Sequence, residues 1–412
     1  YEKFRDAKVD GLFVPHCNFG TEYEVCRLAK KLNVPVLLWG PRDECPDENG
    51  MRLRDSQCGL FATGKVLRRF GIPFTYLKNC NLEDECFAEG IDRFLRVCNV
   101  VKAFRNTRVL QISTRPFDFW STMCNEGELL EKFGIQLSPI PMPELTQAMK
   151  DVKENSPEEI KEVTDYCREK MCIKVTPEQL DNVAALKIAM TRLGKKYGCN
   201  CGAIQCWNAL QDEIGIMPCA ANALCNDEGF PIACETDIHG TITSVLVEAA
   251  AMGETRSFFA DWTVRHPYND NAELLQHCGP WPISIAKEKP TIDTPVAFDC
   301  SGSLMAQAKD GEHISLVRFD GDNGEYSLLL GNAKTVDGPY TKGTYMWVEV
   351  ENLDRLEDKL VQGPYIHHCV GVHQDVVPVL YEACKYIGVT PDLYDPIEEK
   401  VKAIIRGEKV EK

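Results

Sequence analysis

The chain of 412 residues carries a formal net charge of −16, 44% hydrophobic residues, 20 cysteines and eight histidines. At ~100–200 residues per domain it holds enough apolar material for several cores, and its negative charge, with no compensating Lys/Arg run, argues against nucleic acid and anionic membrane surfaces as partners. No apolar stretch approaches the ~20 residues of a spanning helix and no export signal opens the chain, so a cytoplasmic protein is expected; cysteines spread through apolar segments such as RFLRVCNVV read as reduced thiols rather than a disulfide framework.

The opening, YEKFRDAKVDGLFVPHCNFG, reads as a helix end followed by a strand. A parallel α/β domain ordinarily supplies a strand and a helix before that point, so the numbered chain is expected to begin inside a domain. From 11 to 140, short β-branched or apolar runs (GLFVP, VPVLLWG, PFTYL, RVLQIST, IQLSPI) alternate with amphipathic helical stretches, the pattern of a parallel sheet with helices on both faces. The helix over 56–70 stops at Gly71, with Pro73 beyond it. A break near 105–108 bounds an N-terminal α/β domain, 1–106.

A second α/β domain, 107–255, holds two charged helices near 157–172 and 177–197 and a buried strand CGAIQCW. Ser156 is its expected N-cap at the first of these helices, with Pro157, Glu158 and Glu159 in the first turn. After 256 the longer β segments with Gly turns predict a β-rich C-terminal domain, 256–412, including a hairpin through DGDNGE and a strand TYMWVEVE. The expected fold class is α/β, two parallel-sheet domains followed by the β-rich one.

No G-x-G-x-x-G or Walker sequence accompanies the early strands, so the α/β pattern does not imply a nucleotide. CNCGAIQC (199–206) lacks the second C-x-x-C of a zinc or iron–sulfur site and reads as structural thiols. PIACETDIHGTITSVLVEAAAMG (231–253) is more informative. A short strand ends at Cys234, and Glu235, Asp237 and His239 crowd the turn before an amphipathic helix, at the kind of strand end where α/β proteins bind ligands; the plainer reading has Glu235 capping the helix.

In SFFADWTVRHPYNDN (257–271) a second strand delivers Asp261 at its end, ahead of a loop with Arg265 and His266. LLQHCGPWP puts His277 in a loop, and PYIHHCVGVHQD (364–375) gathers His367, His368 and His373. Carboxylates with imidazoles form a ligand set for a divalent metal, the oxygens favouring Mg²⁺ or Mn²⁺ and the imidazole tilting toward Mn²⁺ or Co²⁺. The spacing is too long for a local motif, so only a fold that gathers strand ends assembles it.

CETDIHG, ADWT, QHCGP and the His-His pair of YIHHCVGVHQD, in that order and rough spacing, resemble the L-fucose isomerase and L-arabinose isomerase superfamily over most of the chain, least from about 280 to 360. The resemblance implies a metal-dependent aldose–ketose isomerase acting on a free sugar, L-fucose, L-arabinose or a related aldose. It implies Mn²⁺, with Co²⁺ or Mg²⁺ as alternatives, held by Glu235, Asp261 and His368. Asp261 resembles the fucose branch, and His277 resembles the arabinose branch, where that histidine is a further ligand.

Glu235 and Asp261 are then the acid/base pair that moves a proton between neighbouring carbons through a cis-enediol. His16 and His277 face the substrate, His16 resembling a position that reaches a neighbouring subunit's site in a homo-oligomer, a trimer or hexamer. His367, on an extended segment, points away from His368, and His373 is a polar residue near the next helix. Two other classes compete: a non-catalytic sugar-binding or regulatory protein on the same scaffold, and a thiol- or zinc-based enzyme using CNCGAIQC or the C-terminal histidines.

Overall fold

Short Val/Leu/Ile runs punctuated by Pro and Gly become parallel strands in the first two thirds of the chain, and longer alternating segments become antiparallel strands in the last third. The computed structural model describes residues 1–295 and 299–410, and the chain splits into two compact units. The first comprises Tyr1–Lys102, Val376–Thr390 and Pro396–Lys412; the second comprises Ala103–Asp375 and Pro391–Asp395.

In the first unit β1 (Leu12–Pro15), β2 (Val36–Trp39) and β3 (Thr75–Tyr76) form a parallel sheet in that order, Leu12 opposite Val36 and Leu37 opposite Thr75. Both faces of β2 are buried, as expected of a strand with helices on either side. The helix Ser56–Arg69 ends where Gly71 takes φ +64°, a left-handed conformation that costs glycine little. The helix Val377–Ile387 joins this unit, where the Thr75 hydroxyl donates to Glu382 Oε1 at 2.6 Å and Tyr386 donates to the Val36 carbonyl at 3.1 Å.

The second unit contains a parallel sheet and a closed antiparallel one. β4 (Arg108–Ile112), β5 (Gln136–Ile140), β7 (Cys201–Ile204) and β8 (Ile232–Ala233) make the parallel sheet, in the order β5-β4-β7-β8, while the short β6 (Cys172–Ile173) pairs elsewhere. The helices Pro157–Lys170 and Pro177–Tyr197 both begin with proline, whose missing N–H costs nothing at that position. Thr176 and Gln179 form a reciprocal cap at the second. Ser156 stands at the N-cap position of the first but makes no capping bond; its hydroxyl accepts from Arg192 Nη2 at 2.9 Å instead.

Six strands close the second sheet: β9 (Phe258–His266), β10 (Asn269–His277), β13 (Ile314–Asp322), β14 (Glu325–Val336), β15 (Thr344–Glu349) and β16 (His368–Val372). Each pairs antiparallel with two neighbours in the ring β9-β10-β15-β14-β13-β16, which removes the exposed edges of an open sheet. β11 (Thr291–Asp293) and β12 (Ser303–Gln307) extend it from β15, with β6 beyond them, and β17 (Thr390–Asp395) lies beside β14. β13 and β14 meet through Asn323-Gly324, φ +49° and +81°, the two-residue turn that suits a twisted hairpin. Phe258, Leu275, Trp281, Leu316, Leu329, Met346, Val348 and Cys369 belong to the barrel's buried core, each large side chain stabilising by about 1.5–3 kcal/mol.

Between the two sheets runs the helix Ile238–Ala250, in contact with β4 and β7 on one side and β9, β13 and β16 on the other. The sequence pattern suggested a one-sided apolar face; instead almost every residue is buried, and its hydroxyls supply the missing polar partners. Thr241 donates to the Gly202 carbonyl at 2.7 Å, and Thr243 accepts from the Phe319 N–H at 2.9 Å. All twenty cysteines are free thiols, and among the described residues no helix is long and apolar enough to cross a membrane.

Candidate active site

The carboxyl ends of β4, β7 and β8 open toward the barrel strands β9, β10 and β16. Because β4 connects onward to β5 on one side and β7 connects onward to β8 on the other, the ligand crevice expected of an open α/β sheet falls at their carboxyl ends. Glu235 follows β8 there. Glu235 and Thr236 both take positive φ, +59° and +52°, a conformation that costs of order 1 kcal/mol or more for each non-glycine residue. It is held by Thr236 N–H to the Ile204 carbonyl at 3.0 Å, the Thr236 hydroxyl to the Thr114 carbonyl at 3.1 Å, and the Thr122 hydroxyl to the Glu235 carbonyl at 3.4 Å.

The cap of the following helix is Asp237, not Glu235: Asp237 Oδ1 accepts from the Gly240 N–H at 2.9 Å. A Cβ at Gly240 would stand 2.4 Å from the Phe259 ring and 2.7 Å from Asp237 Oδ2, so only glycine fits beneath that carboxylate. Glu235 is thereby free of the capping role and turns its carboxylate into the crevice, where Trp207 Nε1 donates to Oε1 at 3.3 Å.

The barrel supplies the other groups. Asp261 lies in mid-strand on β9 rather than at a strand end, since β9 continues to His266; closure of the barrel sets it opposite His368 on β16 and Gln276 on β10. His277 is the last residue of β10, not a loop residue. Arg265 and His266 also lie in β9, Arg265 paired with Glu357 and Asp354, and His266 Nε2 3.0 Å from the Asp337 carbonyl.

Glu235, His277 and His368 offer ligand atoms all within 4.8 Å of one another, as do Asp261, His367 and His368. His368 Nε2 is 3.0 Å from Glu235 Oε2 and 3.5 Å from Asp261 Oδ1, and His277 Nε2 is 3.9 Å from Asp261 Oδ1. Phe119, Phe259 and Trp207 contribute aromatic walls, the Phe119 ring 5.8 Å and the Phe259 ring 4.7 Å from that of His368. His367 does not face away: it sits at a bend just before β16, where strand alternation does not apply, and its ring centroid is 4.2 Å from that of His368. His373 is elsewhere, with Nε2 2.9 Å from the Lys309 carbonyl. His16 follows β1 in the first unit, its ring buried and its Nε2 without a hydrogen-bond partner.

His368 Nδ1 is 2.9 Å from Asp237 Oδ2, and Arg318 pairs with both oxygens of that carboxylate. Burial opposes a charged imidazole, but the carboxylate of Asp237, hydrogen-bonded to Nδ1, and that of Glu235, 3.0 Å from Nε2, outweigh it and push the His368 pKa up to about 10. Burial likewise works against the carboxylate of Asp237, but the charge of Arg318 and the bond from His368 hold its pKa far below the usual range. Glu235 follows the same pattern more weakly, its burial outweighed by His368 and then His277. A His368 ring whose Nδ1 proton points at Asp237 presents either a second proton or a lone pair to Glu235 Oε2. Two lone pairs 3.0 Å apart repel, so a proton or a cation belongs between them.

The residues fit a divalent cation on a further count. Glu235 Oε2, Asp261 Oδ1 and His368 Nε2 are all buried atoms without a hydrogen-bond partner, a costly state that a shared cation relieves, and His277 Nε2 beside them is likewise without one. Trp207, Phe119, Asp237 and Arg318 were not assigned roles from the sequence, although Asp237 stood in the same quoted turn as Glu235.

A family model described as the N-terminal domain of fucose/sulfoquinovose isomerase matches residues 1–105. A sulfoquinovose isomerase of Priestia aryabhattai is 24% identical over 400 residues, covering 95% of this chain and 87% of that protein. One from Alkalicoccus urumqiensis is 24% identical over 357 residues, 85% and 79% of the two chains. With the carboxylate and imidazole site just described, these matches define an enzyme of the aldose–ketose isomerase class. They support the L-fucose isomerase-like superfamily for this chain.

Proposed function

We propose that this isomerase is metal-dependent, works through a cis-enediol, and uses Glu235 and Asp261 as its proton-transfer pair. The carrying observation is that two clusters of possible ligands, Glu235 with His277 and His368 and Asp261 with His367 and His368, overlap at His368, with Glu235 Oε2, Asp261 Oδ1 and His368 Nε2 all buried and without a hydrogen-bond partner. A bound divalent cation would polarise the sugar oxygens and stabilise the charge that develops on them. Mn²⁺ suits the mixed carboxylate and imidazole donors best, with Co²⁺ or Mg²⁺ able to substitute.

Glu235, Asp261 and His368 are the ligands in this reading. His277 has a different part: its Nδ1 accepts from the Cys278 N–H at 2.9 Å, so the neutral ring carries its proton on Nε2 and presents a donor to a substrate oxygen. Moving the carbonyl from C1 to C2 takes a proton from C2 and returns one to C1. Carboxylates reaching the substrate from β8 and from β9 can serve as base and acid, and the aromatic walls exclude the water that would otherwise compete.

For the sugar, we favour sulfoquinovose or a closely related 6-substituted aldose over L-fucose and L-arabinose, on the activity named for the relatives. Arg115, the one cation in the loop 113–124 that packs on Glu235, is the group we expect to meet an anionic substituent; its Nη1 donates to carbonyls of its own loop, Pro116 at 3.1 Å and Phe117 at 3.2 Å. We further read the protein as a cytoplasmic homo-oligomer, trimer or hexamer, with His16 facing a neighbouring copy's site, and its chain as three domains, 1–106, 107–255 and 256–412.

Mn²⁺-loaded protein incubated in D₂O with sulfoquinovose, L-fucose or L-arabinose tests the reading. Ketose carrying deuterium at C1 is expected, with sulfoquinovose the best substrate and Arg115→Gln raising KM for it alone. Turnover of none of these sugars with metal bound overturns the reading, and ketose free of deuterium removes the enediol route.

A further inference from the structure

Behind His368 the site continues into a linked set of four buried side chains, in which His239 Nε2 alone among the described ring and carboxylate atoms of the set has no hydrogen-bond partner. Asp237 and His239 stand two residues apart at the start of the helix Ile238–Ala250; Arg318 and Asp320 stand two apart on the face of β13 that looks toward it. Arg318 binds both oxygens of Asp237, while its Nε and Nη2 reach Asp320 Oδ2 at 2.9 and 2.8 Å. Asp320 Oδ1 takes His239 Nδ1 at 2.9 Å and the Gly321 N–H at 2.9 Å. All four residues are at least nine-tenths buried.

Stability alone does not account for this set. Buried ion pairs scarcely repay the cost of desolvating their charges, and well-packed apolar residues of similar volume commonly serve as well or better. Neighbouring positions of the same helix and strand are apolar, Ile238, Ile242, Val317 and Phe319 among them, so the layers could have been joined that way throughout. What apolar residues cannot do is hold one ring nitrogen of His368. Asp237 Oδ2 does so, and Arg318 fixes it there by binding both carboxylate oxygens; Asp320 in turn uses the remaining guanidinium donors, and His239 uses the remaining oxygen of Asp320.

We propose that Arg318, Asp320 and His239 are positioning residues, acting through Asp237 to turn His368 Nε2 toward Glu235 and Asp261. This rests on the metal-site reading given above. A histidine ligand whose other nitrogen is held by an oriented carboxylate binds metal more tightly, and loss of such partners costs about 10–100-fold in affinity. The effect of Arg318, Asp320 and His239 should decline with distance from Asp237.

The test compares Asp320→Asn, His239→Gln and Arg318→Lys with the parent protein, measuring Mn²⁺ affinity by the resonance signal of free Mn²⁺ and the melting temperature of the metal-free form. The polar, near-isosteric changes at 320 and 239 keep the fold measurable if Arg318→Lys does not. Expected are a loss of about tenfold or more in affinity for Asp320→Asn, a smaller loss for His239→Gln, and kcat falling more than KM rises. Affinities within twofold of the parent across the folded variants, with only the melting temperature moving, would overturn the proposal and leave the set a structural strut. Glu235→Gln separates the two readings. If it leaves Mn²⁺ affinity unchanged, the metal-site reading fails; if it abolishes binding while Asp320→Asn does not weaken it, only the positioning role fails.

Discussion

The wall behind His368 and the face in front of it are built from the same residue types, acids and imidazoles, but their polar atoms are treated in opposite ways. Behind, Asp237, Arg318 and Asp320 consume one another's donors and acceptors almost completely in a dry interior. In front, Glu235 Oε2, Asp261 Oδ1, His277 Nε2 and His368 Nε2 are brought together and left without partners. Satisfied groups fix geometry; unsatisfied groups wait for a ligand. His368 belongs to both sets, one nitrogen in each.

Substitutions on either side of His368 should act on different properties. The largest effect is expected in front, on chemistry: Glu235→Gln should lower kcat by about 10²–10⁴-fold, the range for loss of a general acid or base, in a steady-state assay. A fall of less than tenfold would take Glu235 out of the proton-transfer pair. Behind, the largest effect is on folding. Arg318→Met removes the one guanidinium shared by two buried carboxylates and should cost about 3–5 kcal/mol in urea unfolding, whereas Asp261→Asn, in front, should shift stability by less than about 1 kcal/mol while still crippling turnover. Equal destabilisation by both would erase the distinction between the two sets.

A smaller, pH-linked effect follows from the nitrogen they share. Without metal, His368 carries its second proton until the pH approaches about 10, so metal binding near neutrality must displace it. Calorimetry in buffers of different ionisation enthalpy should find close to one proton released per Mn²⁺ at neutral pH. No release would remove His368 from the ligand set. The sign for stability is also set: with its folded pKa raised, the His368 contribution in the metal-free protein is complete below the unfolded value of ~6.5 and is lost as the pH rises through about 10. The smallest effect is the control: His373→Gln, outside both sets, should leave Mn²⁺ affinity within twofold while His368→Gln abolishes it.

Much of this was legible before the fold was known, for local reasons. Apolar runs such as VLLW, bounded by Pro and Gly, announce parallel strands, and Asn323-Gly324 announces a hairpin. Glu235 was readable because a short strand followed by a cluster of acids marks a strand end at which ligands bind. The misplacements came from long-range pairing. Asp261 and His277 sit within strands because the barrel closes around them, and the register that sets Asp261 against His368 joins residues more than a hundred positions apart. His367 was turned the wrong way because alternation was applied one residue before the strand begins. Arg318 and Asp320 were unreadable for another reason: in SLVRFD, charged residues alternating with apolar ones look like the wet face of a strand, and only the buried helix against them makes that face dry.

Everything in front of His368 turns on whether Glu235, Asp261 and His368 share one divalent cation. A crystal of the protein grown with Mn²⁺ and measured at an anomalous wavelength decides it. A single strong peak is expected within ~2.0–2.6 Å of Glu235 Oε2, Asp261 Oδ1 and His368 Nε2. A peak bound by other residues, or none at a Mn²⁺ concentration that supports full turnover, would contradict it.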